Sequence, residues 1–294
     1  MSKLRGLVFP AVVAAVFALF VVLVETYLPG LEDRPVSPPP TVAQPVPQGP
    51  PPVAPPPQPR PSELEEHPLV PVLRWAHESL RGIERLHDYS AVMIKGERLD
   101  NSISYERLFL KIRHRPFSVY ALSTAPECTA GREVNYVEGQ NNGRLWAHGV
   151  GAERALGTVS LPPNGPIAMR GQRHPITAIG ILNLTRRLIE VAEQDLRHDE
   201  CQVSYFGGAD VNGRSCTCIQ VVHPVPREHF LFYLAKVYVD NELNLPIRYE
   251  SYGWPQSPDG SPPLIEQYIY LDLSLNNGFT DNDFSIRNPN YQFR

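Results

Sequence analysis

The 294-residue sequence holds none of the short arrangements that announce common catalytic chemistry. There is no G-x-S-x-G nucleophile elbow, no H-E-x-x-H and no glycine-rich phosphate loop. Cysteine is limited to Cys128, Cys201, Cys216 and Cys218, too few for a zinc site without histidines close by. His77 and His87 lie ten positions apart, and His223 and His229 lack the spacing of a helical metal pair. Asp281 and Asp283 resemble a piece of a calcium loop, but the sixth position is Ile286 where such a loop needs glycine. Asp195, Asp199 and Glu200 read as surface charges at a helix end. The expectation is a chain without metal or cofactor, and not an enzyme. Lysine is nearly missing too, with Lys3, Lys95, Lys111 and Lys236 alone beside the arginines. Residues 63–294 carry 23 basic and 28 acidic side chains. That balance gives no pull towards nucleic acid or an anionic membrane face.

What is present starts at the N-terminus. Leu7 to Val24 are eighteen positions without charge, preceded by Lys3 and Arg5. About twenty apolar residues span a bilayer as a helix, and the basic flank keeps residues 1–6 in the cytoplasm. A cleaved signal peptide is the rival reading, but V-E-T-Y-L-P-G is a poor cleavage site. The expectation is a single-pass anchor over 7–24 in the inner membrane. Residues 25–62 follow as a proline-rich linker, uncharged from Pro35 to Pro59. Proline fixes φ and donates no hydrogen bond, so this stretch reads as a polyproline-II spacer, about 80 Å long if fully extended. A docking site for a proline-reading domain is the alternative. The domain then spans 63–294, in the periplasm.

Within it, Val72, Ala76, Leu80 and Ile83 give helical spacing over Pro68–Leu86, and Ile179, Leu184, Leu188 and Val191 do so over Ile176–His198. Between them lie strand-like runs: Ser90–Arg98, Tyr105–Arg115, Phe117–Ser123, Arg132–Glu138 and Arg144–His148. The row Arg107, Lys111, Arg113 and Arg115 reads as a solvated strand face. Gly149–Pro175 reads as a long loop. Val203–Phe206 and Arg214–Val222 form a hairpin whose turn is taken as Gly207–Gly213. That register sets Cys201 roughly opposite Cys216 or Cys218, so one disulfide is expected in an oxidising compartment, with the pairing open. Phe230–Trp254 and Leu264–Leu275 complete an antiparallel meander. In its last run Ile265, Ile269, Leu271, Leu273 and Leu275 share one face, and Tyr268, Tyr270, Asp272 and Ser274 the other.

Several phrases resemble the DUF1571 family of proteins of unknown function: R115-P-F-S-V-Y120, G131-R-E-V-N-Y-V-E-G139, V239-D-N-E-L-N-L-P-I-R248, Y270-L-D-L-S-L-N-N-G-F-T-D-N-D-F284 and N288-P-N-Y-Q-F293. Their pattern is similar to the broader superfamily of periplasmic lipoprotein carriers and anti-sigma sensor domains. The resemblance implies an α+β fold, a curved antiparallel half-barrel of about eleven strands wrapped over helices. It also implies an apolar cavity for acyl chains.

The aromatic side of the meander (Phe232, Tyr238, Tyr252, Trp254, Tyr268, Tyr270) is more than a solvated face normally carries. The function expected is therefore tethered, non-enzymatic binding of a lipid or a lipidated protein. The candidate liners are Phe109, Tyr120, Trp146 and Tyr249, because aromatics supply most contact area in such sites. The alternative is an envelope-sensing or interaction scaffold whose cavity is filled by its own side chains.

Overall fold

A computed structural model describes residues 66–257 and 259–293. The expected anchor at 7–24, the linker at 25–62 and the domain start at 63 lie outside the described residues. Among those described, no helix is long and apolar enough to cross a membrane.

Helix α1 (Leu69–Ile83) leads into strands β1 (Asp88–Leu99), β2 (Ser102–His114), β3 (Phe117–Ala125), β4 (Glu133–Val137), β5 (Leu145–His148) and β6 (Thr158–Leu161). Helix α2 (Ile181–Asp195) follows, then β7 (Gln202–Val211), β8 (Arg214–Val222), β9 (Leu234–Asp240), β10 (Pro246–Tyr252) and β11 (Leu264–Leu275). All eleven strands form one sheet in the order β6-β5-β4-β3-β2-β1-β11-β10-β9-β8-β7. The chain makes one meander outward from β1 to β6 and a second inward from β7 to β11. Antiparallel pairing of β1 with β11 joins the two. The fold is thus α+β with an open, curved, eleven-stranded antiparallel sheet.

Both helices pack on one face of this sheet, called here the inner face. Leu69, Ile83, Ile181, Leu184 and Val191 share a core with Tyr89, Leu110, Ile112, Tyr249 and Tyr270. The apolar stripe of α1 runs through Leu69, Leu73 and Ile83, rotated from the expected Val72–Ala76 line. The start of α2 is set by close approach. A Cβ at Gly180, where φ is +105°, would lie 3.0 Å from the Tyr89 hydroxyl oxygen and 3.1 Å from Ile112 Cδ1. The absent side chain lets the Ile181 N–H donate to that buried hydroxyl at 2.8 Å, which satisfies a helix N-terminal donor.

Three sequence expectations change. The expected loop at 149–175 contains β6, paired with β5 from Leu145↔Leu161 to His148↔Thr158. The β7–β8 turn is Asn212-Gly213, with φ of +53° and +80°. Both residues thus take the left-handed backbone that two-residue hairpins prefer. β7 therefore runs on to Val211, and Ala209 faces Cys216 while Phe206 faces Cys218. Cys201 then lies beyond the Gln202↔Val222 pair, at the far end of the hairpin from Cys216, and all four cysteines are free thiols in this structure. Cys128 is exposed and the other three are buried. Burial pushes the Cys201 and Cys216 thiols up to about 11. A maleimide should therefore label one thiol in the native protein and four after denaturation. Rapid native labelling of two or more would contradict this packing.

The third change concerns β11. Register runs Tyr89↔Leu275 and Ser90↔Ser274, then shifts to Val92↔Leu271 and Met93↔Tyr270. Asp272, at φ +51°, absorbs the extra residue as a bulge. Period two is broken there. Tyr268 and Tyr270 join Tyr89 in the helix-covered core instead of forming an open aromatic surface. Phe232 is in that core as well, while Trp254 donates its indole N–H to the His223 carbonyl at 3.1 Å.

Candidate binding site on the helix-covered face

Along β1 the inner positions run Tyr89, Ala91, Met93, Lys95 and Glu97, all buried. The first three meet the helices. The last two meet a strap, residues 172–174, that crosses the sheet beyond them. The apolar floor thus changes to a polar one along a single strand.

The polar end is a closed network. Lys95 Nζ donates to Gln172 Oε1 and lies 3.2 Å from Glu106 and 3.8 Å from Glu97. Glu97 accepts the Tyr268 hydroxyl at 2.7 Å and the Arg173 backbone N–H at 2.8 Å. Glu266 takes His174 Nε2 at 2.7 Å, the Tyr268 hydroxyl at 3.1 Å and Arg173 Nε at 3.3 Å. Burial alone would raise the Glu266 carboxyl, but these donors overcome it and hold the group below its usual range. Burial and the two carboxylates push the Tyr268 phenol far up, so it stays a donor. This arrangement can neutralise and orient a polar head group. Every carboxylate in it has at least one donor or cation within reach.

The sequence reading of an apolar cavity with aromatic liners did not include this polar end. The signal it passed over is local: Lys95 and Glu97 share the parity of Tyr89, Ala91 and Met93.

The four liners read from sequence do not meet. Tyr249 is on the inner face, 7% exposed, stacked on Tyr268 with ring centroids 6.2 Å apart. Phe109, Tyr120 and Trp146 lie on the opposite face, under the C-terminal segment 279–293. There Tyr120 stacks on Tyr291 at 3.9 Å and donates to Glu133 at 3.0 Å. Glu133 also accepts the Gln292 backbone N–H at 2.7 Å, and Asn135 donates to the Phe284 carbonyl at 2.8 Å. Of the basic row, Arg107 and Arg115 are exposed as expected, but Lys111 and Arg113 are partly covered. Lys111 pairs with Asp283 at 2.9 Å and Arg113 with Asp281 at 2.7 Å. Between β9, β10 and β11, again opposite the helices, Glu250 is buried and accepts from Arg248, Tyr252 and Gln267.

Asp195 corrects another expectation. It is 3% exposed, not a surface charge, and lies against His223.

A model of a protein family of unknown function, DUF1571, matches residues 86–293. The chain belongs to the DUF1571 family. No curated protein sequence matches it. Among solved structures it is similar to a LolA superfamily protein from Nitrosomonas europaea, at 10% identity and a TM-score of 0.29, covering 71% of this chain and 97% of that one. It is also similar to a DUF1329 family protein from Desulfovibrio piger, at 11% identity and a TM-score of 0.37, covering 75% and 98%. A third is the lipoprotein LppX of Mycobacterium tuberculosis, at 13% identity and a TM-score of 0.40, covering 71% and 97%. Likeness at this level says nothing of a ligand. In this DUF1571 member the matched region spans all eleven strands and both of the interior faces just described, apart from α1.

Proposed function

We propose that the domain is a non-catalytic binding module of the cell envelope. It is held at the inner membrane by residues 7–24, with residues 25–62 as spacer, and takes up an amphiphile, an acyl chain or the lipidated end of a partner. The observation that carries this reading is the apolar-to-polar change along the inner face. A chain would enter by parting the helices from Ala91, Met93, Tyr249 and Tyr270, with which they now share a core, and would set its head towards Arg173, Glu266 and Glu106. Apolar walls ended by a few convergent polar groups are the usual composition of a small-ligand site. Phe109, Tyr120 and Trp146 would line a ligand only if the C-terminal segment left the opposite face.

A second reading, an interaction or sensing module, is favoured by two facts. Three of the four aromatic liners are capped by the chain's own residues. Four exposed large apolar side chains lie on β7 (Tyr205, Phe206) and in the loop from β8 to β9 (Val225, Leu231).

Native mass spectrometry of the full chain, extracted from envelopes in mild detergent, separates the two. The amphiphile reading expects lipid mass on the protein. Arg173→Ala, at a half-exposed side chain, should lower the bound fraction about tenfold, the size of one lost charge-assisted contact. A lipid-free chain that carries a protein partner instead would establish the second reading.

A further inference from the structure

Two features meet at one end of the sheet. The first is an open edge. β7 ends the eleven-stranded sheet, and along it Ser204 to Gly208 are all exposed. Edge strands are normally blunted by proline, by lysine or by being short. The other edge follows that rule: β6 has four residues and runs into Pro162 and Pro163. β7 has ten, holds no proline, lysine or arginine, and carries Asp210 as its one charge. Tyr205 and Phe206, 48% and 51% exposed, are consecutive and so flank this edge on opposite faces.

The second feature is where the chain enters the domain. His67 Nε2 donates to the His198 carbonyl at 3.1 Å and lies 3.9 Å from Cys201 Sγ. Cys201 immediately precedes β7. The loop 223–233, with Val225 and Leu231 exposed, is pinned to the same end. Arg227 pairs with Glu200 there at 2.8 Å, and His229 stacks on His198 at 3.7 Å. The proline-rich segment therefore joins the domain beside the start of its open edge. Residues 50–59 carry no charge, so laying them on an apolar surface strips no charged group of water.

We propose that residues 50–59 fold back along β7 as a polyproline-II ribbon seated on Tyr205 and Phe206. Ten residues of polyproline II rise about 31 Å, against about 33 Å for a ten-residue strand. Proline rings pack on aromatic side chains, the usual way such segments are read. The ribbon's carbonyls accept from outward N–H groups of the edge. Its prolines donate none, so it does not pair as a twelfth strand. A second copy, adding its own β7, fits this edge less well. Register shifts between Phe206 and Ala209, with Gly208 at φ +73°, which leaves only Gln202–Phe206 as regular edge. A strand ladder is interrupted at such a bulge. A ribbon held by ring packing and single carbonyls passes it.

The attachment at His67 keeps the ribbon at an effective concentration of about 1 mM, so a weak contact is enough. Residues 25–49 then remain as the spacer, and the two rings are closed to other partners while the ribbon is down. The ribbon stands independently of the amphiphile site.

Hydrogen exchange of the full chain in detergent micelles tests this, with Pro55→Ser, Pro56→Ser and Pro57→Ser combined as the variant. These positions precede the folded domain, and β1–β3 should keep their protection. Exchange over 203–206 should quicken about fivefold in the variant. A free peptide of residues 50–59, added at about 5 mM, should slow it again. The ribbon itself is read by a nitroxide on Ala54→Cys in a Cys128→Ser background. Its motion should be restrained in the full chain and released by Tyr205→Ser with Phe206→Ser. Equal exchange over 203–206 with and without the three prolines, or a label indifferent to the two rings, overturns the proposal. So does protection that survives the serine variant and grows with protein concentration, which assigns the edge to a second copy.

Discussion

Glu97→Ala is expected to destabilise the domain by about 3–5 kcal/mol, the range for removing one partner of a buried pair. The carboxylate is 2% exposed and answers the Tyr268 hydroxyl, the Arg173 backbone N–H and, more distantly, Lys95. Alanine strands the Arg173 N–H, leaves the Tyr268 hydroxyl only its longer contact to Glu266, and leaves Lys95 with Glu106 and Gln172. Such a loss is a large share of a typical domain's total of about 5–15 kcal/mol. Urea unfolding followed by circular dichroism measures it. Removing Lys95, Glu97 and Glu106 together, as Met, Leu and Leu, should cost less than Glu97→Ala alone, because no charge of the three is then left unpaired. A shift under about 1 kcal/mol for Glu97→Ala would mean that water reaches the network and that the strap does not close it.

The second large effect is expected on the opposite face. Phe284→Ala should cost about 3–5 kcal/mol, as for other buried phenylalanines. Its ring is 3% exposed, with the Arg113 guanidinium 4.9 Å above it and Phe279 edge-on at 6.0 Å. Its carbonyl holds Asn135, so a displaced segment would strand a polar group as well. Unfolding curves give the loss, and hydrogen exchange gives its location. The expected pattern is lost protection over 279–293 and over β3–β5, with the helices unaffected. If the variant stays folded and gains affinity for an acyl chain, the C-terminal segment is a displaceable cover and Phe109, Tyr120 and Trp146 form a groove after all. Under the present packing it unfolds locally and binds nothing new.

Much of the architecture was legible because it follows from local chemistry. Leu108, Leu110 and Ile112 alternate with charged residues, and they do form the inner row of β2. The turn at 139–143 places Gly139, Asn141, Asn142 and Gly143 at positive φ, the backbone that glycine and asparagine take most readily. The two helices lie within the ranges their spacing predicted, shortened at the ends where α2 needs Gly180 against Tyr89. Two of the misses share one cause. A bulge at Asp272 and a two-residue turn at Asn212-Gly213 each shift pairing by a few residues. In a strand such a shift moves side chains to the other face or to another partner. From that follow both the burial of Tyr268 and Tyr270 and the separation of Cys201 from Cys216 and Cys218.

The sequence by itself determined the family, the strand-rich α+β class, the two amphipathic helices and the absence of any familiar catalytic motif. These depend on residue type and short-range spacing, which the chain carries along its length. The tertiary structure alone decided which aromatics face which neighbours. It alone closed Lys95, Glu97, Glu106 and Glu266 into one network, and laid residues 279–293 over Tyr120. It alone set His223 against Asp195. Each of these joins segments far apart in sequence: Glu97 and Tyr268 are 171 positions apart, and Glu133 and Gln292 are 159. Such contacts are fixed by sheet order, through the pairing of β1 with β11, and no local pattern encodes that order.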